Sequence, residues 1–300
     1  MKRIVAILLL TVMLWGLVAC SGESSSSKDT TADQTTPEQT IEQAPAPIRM
    51  LMKETTYGMD GNEISCREYE YDENGNLVVQ TDYKAGEKEF CQTNAYNEQN
   101  LLIRSETVFD QYPEAGSSAT YEYNAQGRLI KKCTFDYRGR PKNEIVYEYD
   151  ELGRTAKVQD KNSIATYTYG ENDSCIILEE DIKGAWNQKS EHIYDAKGNE
   201  TNLRNYDGDV ISTERIYEYD EKNRPVKMIV YSYGEEIAYT TWEYPDDYHA
   251  VWTTHQQGEM VGSGTDEYDE FGELIKEIAY NAAGLATQTV IYEYGNLGER

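Results

Sequence analysis

A Tyr-x-Tyr pair followed by an acidic or amide turn recurs along this chain at a nearly constant step. It reads Tyr69-Glu70-Tyr71-Asp72-Glu73-Asn74-Gly75, then Tyr121-Glu122-Tyr123-Asn124-Ala125-Gln126-Gly127, then Tyr147-Glu148-Tyr149-Asp150-Glu151-Leu152-Gly153. Further copies are Tyr217-Glu218-Tyr219-Asp220-Glu221-Lys222-Asn223 and Glu267-Tyr268-Asp269-Glu270-Phe271-Gly272. With weaker copies included, the second tyrosine falls at 71, 96, 123, 149, 169, 194, 219, 244, 268 and 294, in steps of 20 to 27 residues. A period of this size implies a repeat architecture, in which each unit buries its face only against its neighbours.

Each unit alternates polar and apolar residues up to the anchor tyrosine, as in Ile145-Val146-Tyr147-Glu148-Tyr149, and that is the period of a strand. The turn follows, with Asp or Asn to accept backbone N–H groups and Gly to supply a positive φ. Apolar residues then return, as at Leu77-Val78-Val79 and Leu129-Ile130, and a second, looser glycine turn closes the unit. Two registers fit these hairpins. A three-residue loop with a glycine bulge opposes Tyr71 to Leu77 and Tyr149 to Thr155; a two-residue turn opposes Tyr71 to Val78 and brings Glu148, Glu218 and Glu267 opposite Lys157, Lys227 and Lys276. The fold class expected is all-β: antiparallel hairpins of about 25 residues, roughly twenty strands in total. Open sheets rarely pass about ten strands without curling, so the expected form is a long curled sheet or partial β-shell.

The hairpin motif resembles the YD repeat, also called the RHS repeat, most closely at Tyr121–Leu129 and Tyr147–Thr155. The resemblance runs over about residues 52–300 and implies stacked hairpins; some members of that family have been linked to carbohydrate or cell-surface binding. Nothing like the Asp-Pro-x-Gly motif of its self-cleaving toxins is present.

The N-terminus carries Lys2 and Arg3, then an uncharged, mostly aliphatic run from Ile4 to Val18. Such a run is short for a bilayer span and reads as an export signal over residues 1–19. Leu17-Val18-Ala19-Cys20 is similar to a bacterial lipobox, which implies lipidation of Cys20. Residues 20–48 then hold the lipidated cysteine and a linker poor in large apolar side chains, whose ordering no burial could offset. The repeat domain occupies 49–300. The expected location is the cell membrane, lipid-anchored on its extracytoplasmic side.

The charge is −26, with 54 acidic and 28 basic side chains. That balance argues against a nucleic-acid partner, which calls for a basic footprint. The partners expected are the membrane, through the lipid, and a glycan, cell-wall or protein ligand. Neither a cofactor nor a metal is expected: the acidic turns are explained by turn chemistry, and no full calcium-loop spacing is present. No catalytic residue is assigned, because a ladder of glutamates offers many accidental carboxylate pairs. Cys66 and Cys91 share a repeat phase and form the candidate disulfide, provided that neighbouring copies approach closely enough; free thiols are the alternative. The candidate ligand-stacking residues are Tyr239, Trp242, Tyr244, Tyr248 and Trp252, weighed against a packed face in a divergent repeat. The function expected is non-catalytic surface binding or adhesion, with a structural or assembly scaffold as the alternative.

Overall fold

The computed structural model describes residues 48–184 and 186–297. The expected export signal, Cys20 and nearly all of the expected linker lie outside the described residues. Twenty strands follow one another along the chain. The first five are β1 (Arg49–Gly58), β2 (Glu63–Tyr71), β3 (Leu77–Lys84), β4 (Glu87–Tyr96) and β5 (Leu102–Phe109). Next come β6 (Ser117–Tyr123), β7 (Leu129–Asp136), β8 (Pro141–Tyr149), β9 (Thr155–Gln159) and β10 (Ser163–Tyr169). The third group is β11 (Cys175–Asp181), β12 (Asn187–Tyr194), β13 (Glu200–Asp207), β14 (Val210–Tyr219) and β15 (Pro225–Ser232). The last is β16 (Glu235–Glu243), β17 (His249–Gln256), β18 (Glu259–Tyr268), β19 (Leu274–Asn281) and β20 (Ala286–Asn296). Every strand pairs antiparallel with its neighbours in the chain, and β1 pairs with β20.

The sheet is therefore a closed up-and-down barrel, not the open curled sheet or partial shell expected from the sequence. The reason lies in β1. In each unit the anchor strand pairs with the strand that follows its turn, with one bulge beside the anchor. Tyr71 opposes Leu77 while Glu70 opposes Val79. The last anchor, Tyr294, has no following strand, and β1 takes that place: Leu51 opposes Tyr294 while Lys53 opposes Glu293. The N-terminal strand is thus the missing half of the last hairpin. Closure removes both sheet edges, which would otherwise present unpaired N–H and C=O groups.

The bulge also reconciles the two registers. Tyr149 opposes Thr155, as a glycine-bulged loop requires, and Glu148 opposes Lys157, as the charge pairing requires. The same shift separates Glu218↔Lys227 from Tyr219↔Pro225, and Glu267↔Lys276 from Tyr268↔Leu274. The turn that enforces it is the same in most copies. In one, Gly153 N–H donates to the Asp150 carbonyl, Asp150 N–H to that of Arg154, and Gly153 takes φ +82°. Asn100 and Asn223 adopt the same left-handed conformation where glycine is missing; asparagine tolerates it better than most side chains.

One face of the sheet is the less exposed and points inward. Ala119, Thr240, Ala250, Asp266 and Val290 lie on it, five of the seven buried residues. Along β8 the inward Asn143, Ile145, Tyr147 and Tyr149 are half-buried, while the outward Glu144, Val146 and Glu148 are exposed. No large side chain is fully buried among the described residues. A circular barrel of this strand number has a backbone diameter of roughly 40 Å, from the strand spacing and usual tilt. Side chains cannot fill such a width, so the barrel encloses a hydrated lumen and has no dense core. It is held by its ladders, and by a bond that recurs from hairpin to hairpin. The hydroxyl of Tyr71 donates to the Leu51 carbonyl at 2.9 Å, that of Tyr96 to Leu77 at 2.9 Å, and that of Tyr219 to Glu200 at 2.8 Å. Tyr123, Tyr149, Tyr169, Tyr244 and Tyr294 do the same. Eight of the ten anchor rings thus tie their own strand to the first residues of the return strand in the preceding hairpin. Burial pushes up the phenols of Tyr96, Tyr123, Tyr169 and Tyr294, and those of Tyr71, Tyr219 and Tyr244 to about 12.

Candidate functional site: an aromatic belt in the lumen

The position two residues before each anchor faces the lumen, because side chains two apart share a face. Six copies place a tyrosine there: Tyr69, Tyr121, Tyr147, Tyr167, Tyr217 and Tyr292. The other four place Asn94, His192, Trp242 and Asp266. Closure joins these ten positions into a belt around the inner wall. The belt is aromatic for most of its course and breaks at Asn94 and, with a charge, at Asp266.

The break is built with care. Trp252 on β17 lies directly between Trp242 on β16 and Gly264 on β18 in the ladder. A Cβ at Gly264 would run into the Trp252 indole, so glycine leaves the space in which that ring lies against the wall. Asp266 stands two residues on, on the same face as Gly264. It is only 7 % exposed, and its Oδ1 has no hydrogen-bond partner. Directly opposite on β19 stands Glu277, a second carboxylate; like charges facing across a ladder repel. Burial, then Glu277, pushes the Asp266 carboxyl up to about 6, against a smaller lowering by Trp252. Burial, then the charge of Glu54, also raises Glu277, against a hydrogen bond from Tyr292. Glu54 is itself partnered, with Arg67 Nη1 at 3.8 Å and the Tyr69 hydroxyl at 3.4 Å. No lysine or arginine pairs with Asp266 or Glu277 among the described residues.

The five aromatic residues singled out in the sequence do not form one patch. Trp242 and Trp252 are opposed neighbours on the inner wall. Tyr239 faces outward, its ring stacked on His255 at 4.6 Å between centroids. Tyr244 is an anchor, bonded to the Pro225 carbonyl, with the Arg224 guanidinium over its ring. Tyr248 is exposed in the turn before β17. Strand alternation sends Tyr239 to the other face, and Tyr248 lies outside the strands. The Cys66–Cys91 pairing fails for a similar reason. Cys66 lies on β2 opposite Tyr83, and Cys91 on β4 opposite Thr81, with β3 between them. Two strand spacings, roughly 9.6 Å, exceed the reach of a disulfide. All four described cysteines are free. The sequence reading missed Asp266, Glu277 and Gly264. The signal was present at Asp266, where Asp-Glu-Tyr stands in place of Tyr-Glu-Tyr.

The acidic turns spend their oxygens on the backbone. Asp220 Oδ1 accepts the N–H groups of Lys222 and Arg224, and Oδ2 takes Arg224 Nε at 2.8 Å. Asp72, Asp136, Asp195 and Asp269 each hold the two corresponding N–H groups. These bonds hold the turn carboxyls below the usual carboxylate range.

The outer wall carries charge ladders: Lys131–Glu144 at 2.8 Å, Lys157–Glu148 at 3.2 Å, and Lys276–Glu267 at 2.8 Å. Arg204 bridges Glu191 and Glu214 on the same side.

No family model and no curated protein matches the chain. Solved structures with similarity include a TcdB2–TccC3–TEV complex, at 12% identity and a TM-score of 0.39, over 81% of this chain and 17% of that one. A porin-like protein from Bacteroides uniformis shares 13% identity over 82% of this chain and 96% of its own, with a TM-score of 0.39. A Tc holotoxin pore from Photorhabdus luminescens shares 12% identity over 81% and 18%, with a TM-score of 0.29. The chain spans under a fifth of the length of those toxin chains. At these scores the likeness says nothing of what this chain does.

Proposed function

We propose that this chain is a lipid-anchored, non-catalytic capture module at the cell surface, and that it takes glycan on the inner wall of its barrel. The observation that carries the reading is the Trp242–Trp252 pair: two large rings on adjacent strands, half-exposed to a hydrated lumen, with Gly264 clearing the space for one of them. Flat rings of this kind stack on the apolar faces of sugars, and the tyrosine belt extends the platform around the wall. The YD/RHS reading of the repeats and the lipid anchor at Cys20 belong to the same proposal. Catalysis is not part of it.

The test is binding of the full chain to a broad glycan and cell-wall panel, beside a Trp242→Ala/Trp252→Ala variant. Saturable binding lost in the variant supports capture on the lumen wall. Absence of binding at high micromolar concentration removes it for the ligands tested. A second reading, a structural scaffold for a protein partner, draws on the tyrosine-to-carbonyl bonds at eight of the ten anchors, which stiffen most of the wall.

A further inference from the structure

The capture reading leaves one feature without a use. A sheet gains nothing by placing two carboxylates opposite each other on a half-buried wall. Asp266 goes further: more than nine-tenths of it is buried, and one of its oxygens has no donor. A buried acceptor left unmade costs stability, and each such group in a folded protein asks for an explanation. Trp252 and Tyr292 only partly offset what raises the Asp266 and Glu277 carboxyls, and Arg67 is drawn away to Asp82 and Glu54. The wall therefore offers two carboxylates, one spare acceptor, no paired cation and aromatic rings on either side.

We propose that the Asp266–Glu277 pair is a subsite for a protonated primary amine, and that the saccharide taken by the lumen is an amino sugar with its amine free. This rests on the capture reading and names its ligand class. Glu277 is half-buried and stays open to the lumen, so it receives the ammonium group first. The ammonium carries three donors. They go to Glu277 and to the small part of Asp266 that stays exposed, and the positive charge relieves the repulsion between the two carboxylates and the cost of the unpartnered Oδ1. The rings of Trp252 and Trp242 lie on one side of the pair along the ladder, where they can stack on the sugar that bears the amine and attract its cation. A linear polyamine shares the ammonium chemistry but has no ring to stack. The overall charge of −26 draws cations toward the barrel and adds to the rate of encounter.

The experiment is a tryptophan-fluorescence titration of the full chain at neutral pH with three probes: a fully deacetylated glucosamine tetramer, the same tetramer N-acetylated, and spermidine. Asp266→Asn and Glu277→Gln are titrated alongside, with near-UV circular dichroism to verify that each folds. A charge-assisted contact should favour the free amine over the acetylated sugar by about tenfold or more. Both variants should collapse that ratio toward one. Equal affinity for the two tetramers, or a ratio that survives both substitutions, overturns the inference. Acetylated sugar binding with no gain for the amine leaves glycan capture standing and removes the ammonium subsite. Spermidine binding with neither tetramer bound keeps the ammonium subsite and removes the amino sugar and glycan capture.

Discussion

Asp266 should make this protein less stable as the solution approaches neutrality, and Asp266→Asn should reverse the effect. The folded carboxyl sits at about 6 against an ordinary 3.8, chiefly because burial disfavours its charge. Between those values the native state keeps a proton that the unfolded chain releases. Stability contributed by the group is therefore full below about pH 4 and is lost as pH rises through 6. At 1.36 kcal/mol per pH unit the loss approaches roughly 3 kcal/mol by pH 8. An asparagine side chain is neutral throughout and fits the same space, so the variant should match the wild type near pH 4 and exceed its stability at pH 8. Glu277 is coupled to the same pair, which makes this figure a ceiling. The assay is urea unfolding of both proteins from pH 4 to 8, read as a difference, which cancels the turn carboxylates common to both. A difference that does not change with pH, or a variant less stable at pH 8, would refute the argument that Asp266 is held charged in a hostile site.

Three further outcomes follow from the same geometry. Tyr219→Phe removes one hydroxyl-to-carbonyl bond between hairpins and should cost about 1 kcal/mol in denaturant unfolding. The turn aspartates have lowered carboxyls, so their contribution is present above the ordinary 3.8 and lost as pH falls through the folded values; Asp220→Asn, which keeps the acceptor oxygen, should soften acid unfolding monitored by circular dichroism. Gly264→Ala forces the Trp252 indole off the wall and should lower the melting temperature by several degrees, in line with overpacking of about 1–3 kcal/mol, and change the near-UV spectrum.

Much of the fold was legible because it is written in period 2 and in turn chemistry. Tyr149, Asp150 and Gly153 mark a strand end, a clamped turn and a left-handed residue, and the structure has all three. Closure was not legible, because β1 carries no tyrosine motif; its Leu51 and Lys53 match Leu77 and Val79 only once the partner strand is known. The aromatic cluster near residue 244 was visible as composition, but faces are set by alternation through a bulge, and that alternation sends Tyr239 out and Trp242 in. Asp266 was visible as a departure from the repeat. Its meaning depended on Glu277, which the ladder brings opposite and which no local pattern announces.

The claim on which the rest depends is that the sheet closes, since only closure turns one face into a lumen. Tyr57 on β1 and Thr289 on β20 are ladder partners from opposite ends of the repeat domain. Paired strand positions lie within disulfide reach. Tyr57→Cys/Thr289→Cys, in a background with the four described cysteines changed to serine, should form an intramolecular disulfide under mild oxidation, seen as a monomer of shifted mobility in non-reducing gels and as a linked peptide pair by mass spectrometry. Reduced monomer throughout, or only disulfide-linked dimers, would contradict a closed barrel and with it the binding surface proposed for its interior.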